Sequence, residues 1–243
     1  MEKGTGVPAF SVSNRLQENY DTYYGGESEW HWLSAIDKAD NIVALSGDYS
    51  HSTILEIGAG EGSILKRLSD LEFGDELHAV EVSRTGLDAI RKRDIRALID
   101  CKVFNGYDIP YGDGTFDLAL LSHVLEHVEY PRKLLYEAGR VARYIFIEVP
   151  LEDNLRLARD FVFDRVGHIN AYSPKTIRRL AQSCDLEVLR QVVTNPSARV
   201  YEYRYGRVGP FKYFVKELMV RAIPSLATLA WTYHSAMICR KKL

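Results

Sequence analysis

Two carboxylates bracket the most chemically suggestive stretch of this chain. Glu56 stands two residues ahead of Gly58-Ala59-Gly60-Glu61-Gly62, and Glu81 follows nineteen residues after Gly62. A turn this rich in glycine lets backbone N–H groups approach a ligand that a Cβ would keep away. An acid closing the next strand is placed to accept hydrogen bonds from both hydroxyls of a ribose. A second set of candidates lies further on, in Glu126-His127 and in His168 of Gly167-His168-Ile169-Asn170-Ala171-Tyr172-Ser173. Histidine titrates near neutral pH and so suits proton transfer there. Glu126 and His127 could also ligate a metal, but two ligands without a third are not a metal site, and none is assigned from the sequence.

These groups act together only if the fold brings them to one edge. The patterning predicts that it does. Strands are expected at Thr53–Ile57, Glu76–Val82, Lys102–Phe104, Thr115–Leu121, Tyr144–Val149, Glu187–Val193 and Ser235–Cys239. Helices are expected at Ser63–Leu71, Thr85–Arg93, Pro131–Ala142 and Ser173–Cys184, the last with Ser173 as N-cap and Pro174 as its first residue. Such alternation predicts an α/β fold of three layers, a mostly parallel sheet covered by helices on both faces, with an antiparallel C-terminal strand. Ligands of such sheets bind beyond the carboxyl ends of the strands. One domain is expected, with a helical lid at 14–45, a core at 52–193, a cap insertion at 195–233 and a last strand at 234–243.

The glycine turn reads GxGxG, one residue short of the dinucleotide fingerprint GxGxxG. Glu56 beside it would repel a pyrophosphate and attract a cofactor carrying an amino group and a sulfonium. Both features speak against a nicotinamide-dependent oxidoreductase. A non-catalytic module that keeps the fold and its nucleoside site stays open as a reading.

Composition narrows the partners. The 243 residues carry a formal net charge of −2, without the basic excess of a nucleic-acid binder. Met1–Gly4 lacks the charged-then-apolar pattern of a leader. Cys101, Cys184 and Cys239 are odd in number and widely spaced, as expected of packed thiols in the cytoplasm. The uncharged run Ala222–Trp231 is too short to span a bilayer, which leaves peripheral membrane contact as the most that is expected.

Glu56–Gly62 resembles motif I of class I S-adenosylmethionine-dependent methyltransferases, the Rossmann-like group acting on small molecules and lipids. Asn105-Gly106-Tyr107-Asp108-Ile109-Pro110-Tyr111 with Gly114-Thr115-Phe116-Asp117-Leu118, and Ser122-His123-Val124-Leu125-Glu126-His127-Val128, are similar to two further blocks of that family. The likeness covers roughly residues 52–190. It implies S-adenosylmethionine as cofactor, with Gly58, Ala59, Gly60 and Gly62 around its methionine and ribose portions. Glu56 is then expected near the amino group, Glu81 on the ribose and Val82 on the adenine. Asn105 and Gly106 occupy the adenine-recognition position, where Asp is usual. An Asn oxygen still accepts from the adenine amino group. Ser122 and His123 fall at the methionine end. Tyr20 and Tyr24 of the lid are expected near the carboxylate or sulfonium, where an aromatic face is favourable.

His168 and His127 are the candidate bases. Residues 195–233 should rise over the site, because the sixth strand ends on the binding side. Their first half is basic and aromatic, with Arg199, Tyr201, Tyr203, Arg204, Tyr205 and Arg207, and Phe211–Trp231 reads as an amphipathic helix broken at Pro224. The expected reaction is methyl transfer to an O or N atom of a small metabolite, such as a sugar, phosphorylated or lipid-linked intermediate.

Overall fold

A computed structural model describes residues 29–161 and 167–242. Tyr20 and Tyr24 lie outside the described residues. Seven strands form one sheet: β1 (Thr53–Ile57), β2 (Glu76–Glu81), β3 (Leu98–Val103), β4 (Phe116–Ser122), β5 (Ala142–Pro150), β6 (Leu186–Thr194) and β7 (His234–Lys241). Their order is β3-β2-β1-β4-β5-β7-β6, with β7 antiparallel to both neighbours and every other pairing parallel. The order reverses between β1 and β4, where such folds open a crevice.

Eight α-helices accompany the sheet among the described residues. They are α1 (Glu29–Ser46), α2 (Ser63–Asp70), α3 (Arg84–Lys92), α4 (Pro131–Val141), α5 (Pro174–Gln182), α6 (Ala198–Tyr205), α7 (Gly209–Ala222) and α8 (Pro224–Ala230). Ile42, Leu65, Leu68 and Ile90 of α1–α3 pack on one face of the sheet against Ile54, Leu77 and Phe146. Leu134, Ala138, Ile177 and Ala181 of α4 and α5 pack on the other, against Leu55, Val80 and Ile145. The central strands are buried on both sides, so they read as continuous apolar runs without alternation.

The third strand begins at Leu98, four residues ahead of the sequence expectation. It is an edge strand with exposed positions such as Ile99, and its pairing with β2 shifts register after Leu77. The polar residues Asp100 and Lys102 therefore mask the apolar pattern. The cap folds as α6, α7 and α8 with a break at Ile223-Pro224, where proline cannot continue the preceding helix.

Ser173 caps α5 through a reciprocal box with Thr176, and Pro174 takes the first turn. Replacing Ser173 by Ala should lower unfolding free energy by about 1 kcal/mol. Chemical denaturation would show this as a lower midpoint at an unchanged slope.

Candidate active site

The carboxyl ends of β1, β2, β4 and β5 converge with the start of β7, because the antiparallel β7 pairs its first residue, His234, with Pro150 and Thr194. Over this edge lies a cavity of about 1230 Å³, floored by strand ends and roofed by α6 and α7. Of the residues expected around a cofactor, Glu56, Gly58, Ala59, Gly60 and His123 line it, as do both candidate bases, His127 and His168. Gly62, Glu81, Val82, Asn105, Gly106 and Ser122 stand outside its walls.

The glycine turn is built as its residue types require. Gly58 and Gly60 take left-handed backbone (φ 72° and 56°), and a Cβ at Gly58 would stand 2.9 Å from a Val124 methyl. The buried Glu81 carboxylate accepts from the N–H groups of Gly60 (2.8 Å), Val82 (2.9 Å) and Ser83 (3.0 Å), tying β2 to the turn. Glu61, also buried, accepts from the Ser63 hydroxyl and lies 3.3 Å from Arg93 and 3.5 Å from His31 of α1. Helix α1 is thereby tied to the glycine turn.

Asn105 spends its amide oxygen locally, accepting from the N–H groups of Tyr107 (2.9 Å) and Asp108 (2.8 Å). These two bonds occupy both lone pairs of that oxygen, so as folded here it has none to spare for an adenine amino group. The Ser122 hydroxyl donates to Glu148 at 3.1 Å.

The floor holds more charge than the sequence suggested. Glu56, Glu126 and Glu148 are all buried. Lys38 of α1 reaches the same cavity, and its ammonium faces all three, while burial lowers its proton affinity. Glu148 accepts from Asn41 (2.9 Å) and Ser122, and His234 stands 3.6 Å away. His123, in left-handed backbone (φ 57°), is pushed down to about 4 by burial and by nearby Lys38 and His234. It is therefore neutral at neutral pH. Burial likewise lowers His127.

His127 sits in the short 3₁₀ turn Leu125–His127 after β4, forty-one residues before His168. The backbone carbonyl of Glu126 accepts from Ile169 N (2.8 Å) and Asn170 N (3.0 Å). The Asn170 amide donates to Leu125 O (3.0 Å) and Val128 O (2.7 Å), and the Tyr172 hydroxyl to Leu125 O (3.1 Å). These bonds strap the His168 segment to the turn and bring the two imidazoles into edge contact, 4.7 Å between centroids. His168 Nδ1 donates to Glu152 at 2.8 Å, and His127 Nδ1 to the Gly167 carbonyl at 3.1 Å. Sequence reasoning named both histidines but missed Lys38, Glu148, Glu152 and His234. Only the direction of β7 could have signalled His234.

The roof is basic. Arg156, Arg204, Lys212 and Lys216 line it with Trp30, Tyr201, Tyr203, Phe211 and Trp231. Lys216 is pushed down to about 8 by burial and by Arg156 and Arg204.

The methyltransferase-domain family matches residues 30–191, so the chain belongs to it. More narrowly, it is a member of the class I, Rossmann-like, S-adenosylmethionine-dependent methyltransferases, and S-adenosylmethionine is its cofactor. It is 31% identical over 124 residues to an uncharacterized protein of Methanocaldococcus jannaschii, covering 51% of this chain and 56% of that one. It is 26% identical over 102 residues to the ubiquinone/menaquinone biosynthesis C-methyltransferase UbiE of Desulfotalea psychrophila, covering 42% of each. The chain thus spans about half the length of these curated relatives. The fold is shared with geranyl diphosphate C-methyltransferase from Streptomyces coelicolor A3(2), at TM-score 0.66 and 15% identity over 95% of this chain and 100% of that one. It is also shared with a Haemonchus contortus phosphoethanolamine N-methyltransferase, at TM-score 0.64 and 15% identity over 96% and 61%.

Burial is the largest influence on Glu56 and pushes its carboxyl up from 4.5 to about 8, against the pull of Lys38. The folded chain then holds a proton on Glu56 that the unfolded chain releases near pH 4.5. Stability from this residue is full below pH 4.5 and falls as pH rises through 8. In the cofactor-free protein, Glu56→Gln should raise the melting temperature relative to wild type at pH 9 and have little effect at pH 4.5. Scanning calorimetry across that range checks the sign.

Proposed function

We propose that this chain transfers the methyl group of S-adenosylmethionine to an O or N atom of an anionic acceptor, phosphorylated or lipid-linked, held beneath the cap. The observation that carries this reading is the polarity of the cavity: carboxylates on its floor, cations on its roof. The floor suits a cofactor bearing an amino group and a sulfonium, whose positive charge near Glu56 would favour release of the proton that this buried carboxyl holds in the cofactor-free chain. Gly58, Ala59 and Gly60 then approach the methionine and ribose portions, and Glu81 holds the ribose from behind the turn. His123 faces the methionine end.

The roof suits an acceptor of opposite charge. Phe211 continues outward into the exposed Phe214 and Leu218 of α7, an apolar track for a lipid-like portion. Arg140 and Arg132, by contrast, do not line this wall and are engaged with the Glu137 carboxylate and the Tyr111 carbonyl, and with the Ser183 carbonyl, respectively. Methyl transfer from a sulfonium needs alignment first and removal of a proton from a hydroxyl acceptor second. Neutral His127, and His168 held by Glu152, are the groups on the acceptor side that can take that proton. Among the described residues no helix is long and apolar enough to cross a membrane. Three free, buried thiols suit a reducing, cytoplasmic compartment.

Titration calorimetry should show S-adenosylhomocysteine binding and no binding of NAD. Glu81→Ala should weaken the former about 10–100-fold, the equivalent of a hydrogen bond to a charged group. With S-adenosylmethionine labelled at the methyl carbon and a metabolite extract, the labelled product should be retained on an anion exchanger and show an O-methyl or N-methyl NMR signal. A carbon-bound methyl signal, or a product that is not anionic, would overturn the acceptor class.

A further inference from the structure

We propose that Glu126, His127 and His168 form a binding site for one divalent transition-metal ion of the zinc class at the acceptor end of the cavity. One ligand atom from each of the three lies within 4.8 Å of the others. The donor set of two imidazoles and one carboxylate, with further positions facing a cavity, matches catalytic zinc sites in kind. It is too rich in nitrogen for calcium or magnesium, which favour all-oxygen shells.

Three independent features point to an ion. First, the Glu126 side chain is fully buried, and neither carboxylate oxygen accepts a hydrogen bond among the described residues. The nearest polar group, His123 Nδ1, is 3.1 Å from one oxygen and favours its ionised form, and it leaves the other oxygen without a partner. Buried carboxylates left so are rare, because burying an unpaired charge is costly. Second, each imidazole is already oriented at Nδ1, His168 by the Glu152 carboxylate and His127 by the Gly167 carbonyl. Donation at Nδ1 places the ring lone pair on Nε2. This is the outer-shell arrangement that metal-bound histidines use. Third, the strap onto the Glu126 and Leu125 carbonyls fixes the three residues relative to one another although His168 is distant in sequence.

Around a tetrahedral ion the donors would draw together from within 4.8 Å to a separation of ~3.3 Å. A neighbouring trio, His123, Glu148 and His234, also converges. It differs in the decisive respect, since Asn41 and Ser122 already donate to the Glu148 carboxylate. The charge facing Glu126 from α1 is Lys38, which also faces Glu56 and Glu148.

The site goes beyond the methyl-transfer reading, since it requires only that the ion bind. With the ion present, an acceptor oxygen entering an open position would lose its proton to water more readily. His168 would then serve as ligand in place of base.

Equilibrium dialysis of the metal-stripped chain against Zn2+ should give one ion per chain. Co2+ should produce the intense visible bands of a four- or five-coordinate site. His168→Ala should abolish the bands and weaken binding at least 100-fold. Glu126→Gln should do the same, and Glu152→Gln, which keeps every ligand, should weaken binding about 10–100-fold. Because Glu126 is buried and its variant could misfold, His168→Ala at the half-buried position decides the matter, with circular dichroism confirming its fold. Absence of stoichiometric Zn2+ binding, or binding unchanged in His168→Ala, would overturn the site. S-adenosylhomocysteine titrated into the same samples reports separately on the methyltransferase reading.

Discussion

Burial of charge at one edge of the sheet is the constraint around which the rest of this molecule is arranged. Glu56, Glu61, Glu81, Glu126 and Glu148 are all buried where the strands end. An ionised carboxylate removed from water is tolerated only beside partners. The surrounding elements supply them: α1 brings Lys38, Asn41 and His31, the glycine turn brings the Gly60 N–H, and β7 brings His234. Helix α1, the glycine turn and the last strand are thus held together by the charges buried at this edge.

The cap answers the floor with the opposite sign. Its small core of Leu151, Ala227 and Tyr233 anchors α7 and α8 near the end of β5, leaving the cationic side chains of α6 and α7 to face the cavity. Lys216 donates to the Thr232 carbonyl at 2.7 Å and lies 4.5 Å from the Tyr233 ring centroid. It is positioned by groups that do not neutralise it, so its charge remains available to a ligand. Floor and roof thus present opposite charges to one space.

Much of the architecture could be read before the chain was folded. The apolar runs Thr53–Ile57 and Tyr144–Val149, the glycine turn and the Ser173-Pro174 start each encode a local preference that survives packing. The edge strand β3 was only half legible, because its exposed face carries no hydrophobic signature. Asn105 looked like a ligand contact from its place in a motif, yet its oxygen also makes the turn that leads into Tyr107, a use that only local backbone geometry reveals.

What the sequence by itself determined was the sheet, its glycine turn and the acid behind it, because these depend on residues close together in the chain and on periodicity. What only the tertiary structure decided was which distant groups meet. Glu126 and His127 were two adjacent residues of open meaning until five hydrogen bonds carried His168 across to them. Lys38 was one polar position on a helix, and His234 the first residue of a last strand. Their roles come from the docking of α1 and from the reversed direction of β7, neither of which leaves a local mark in the residues themselves.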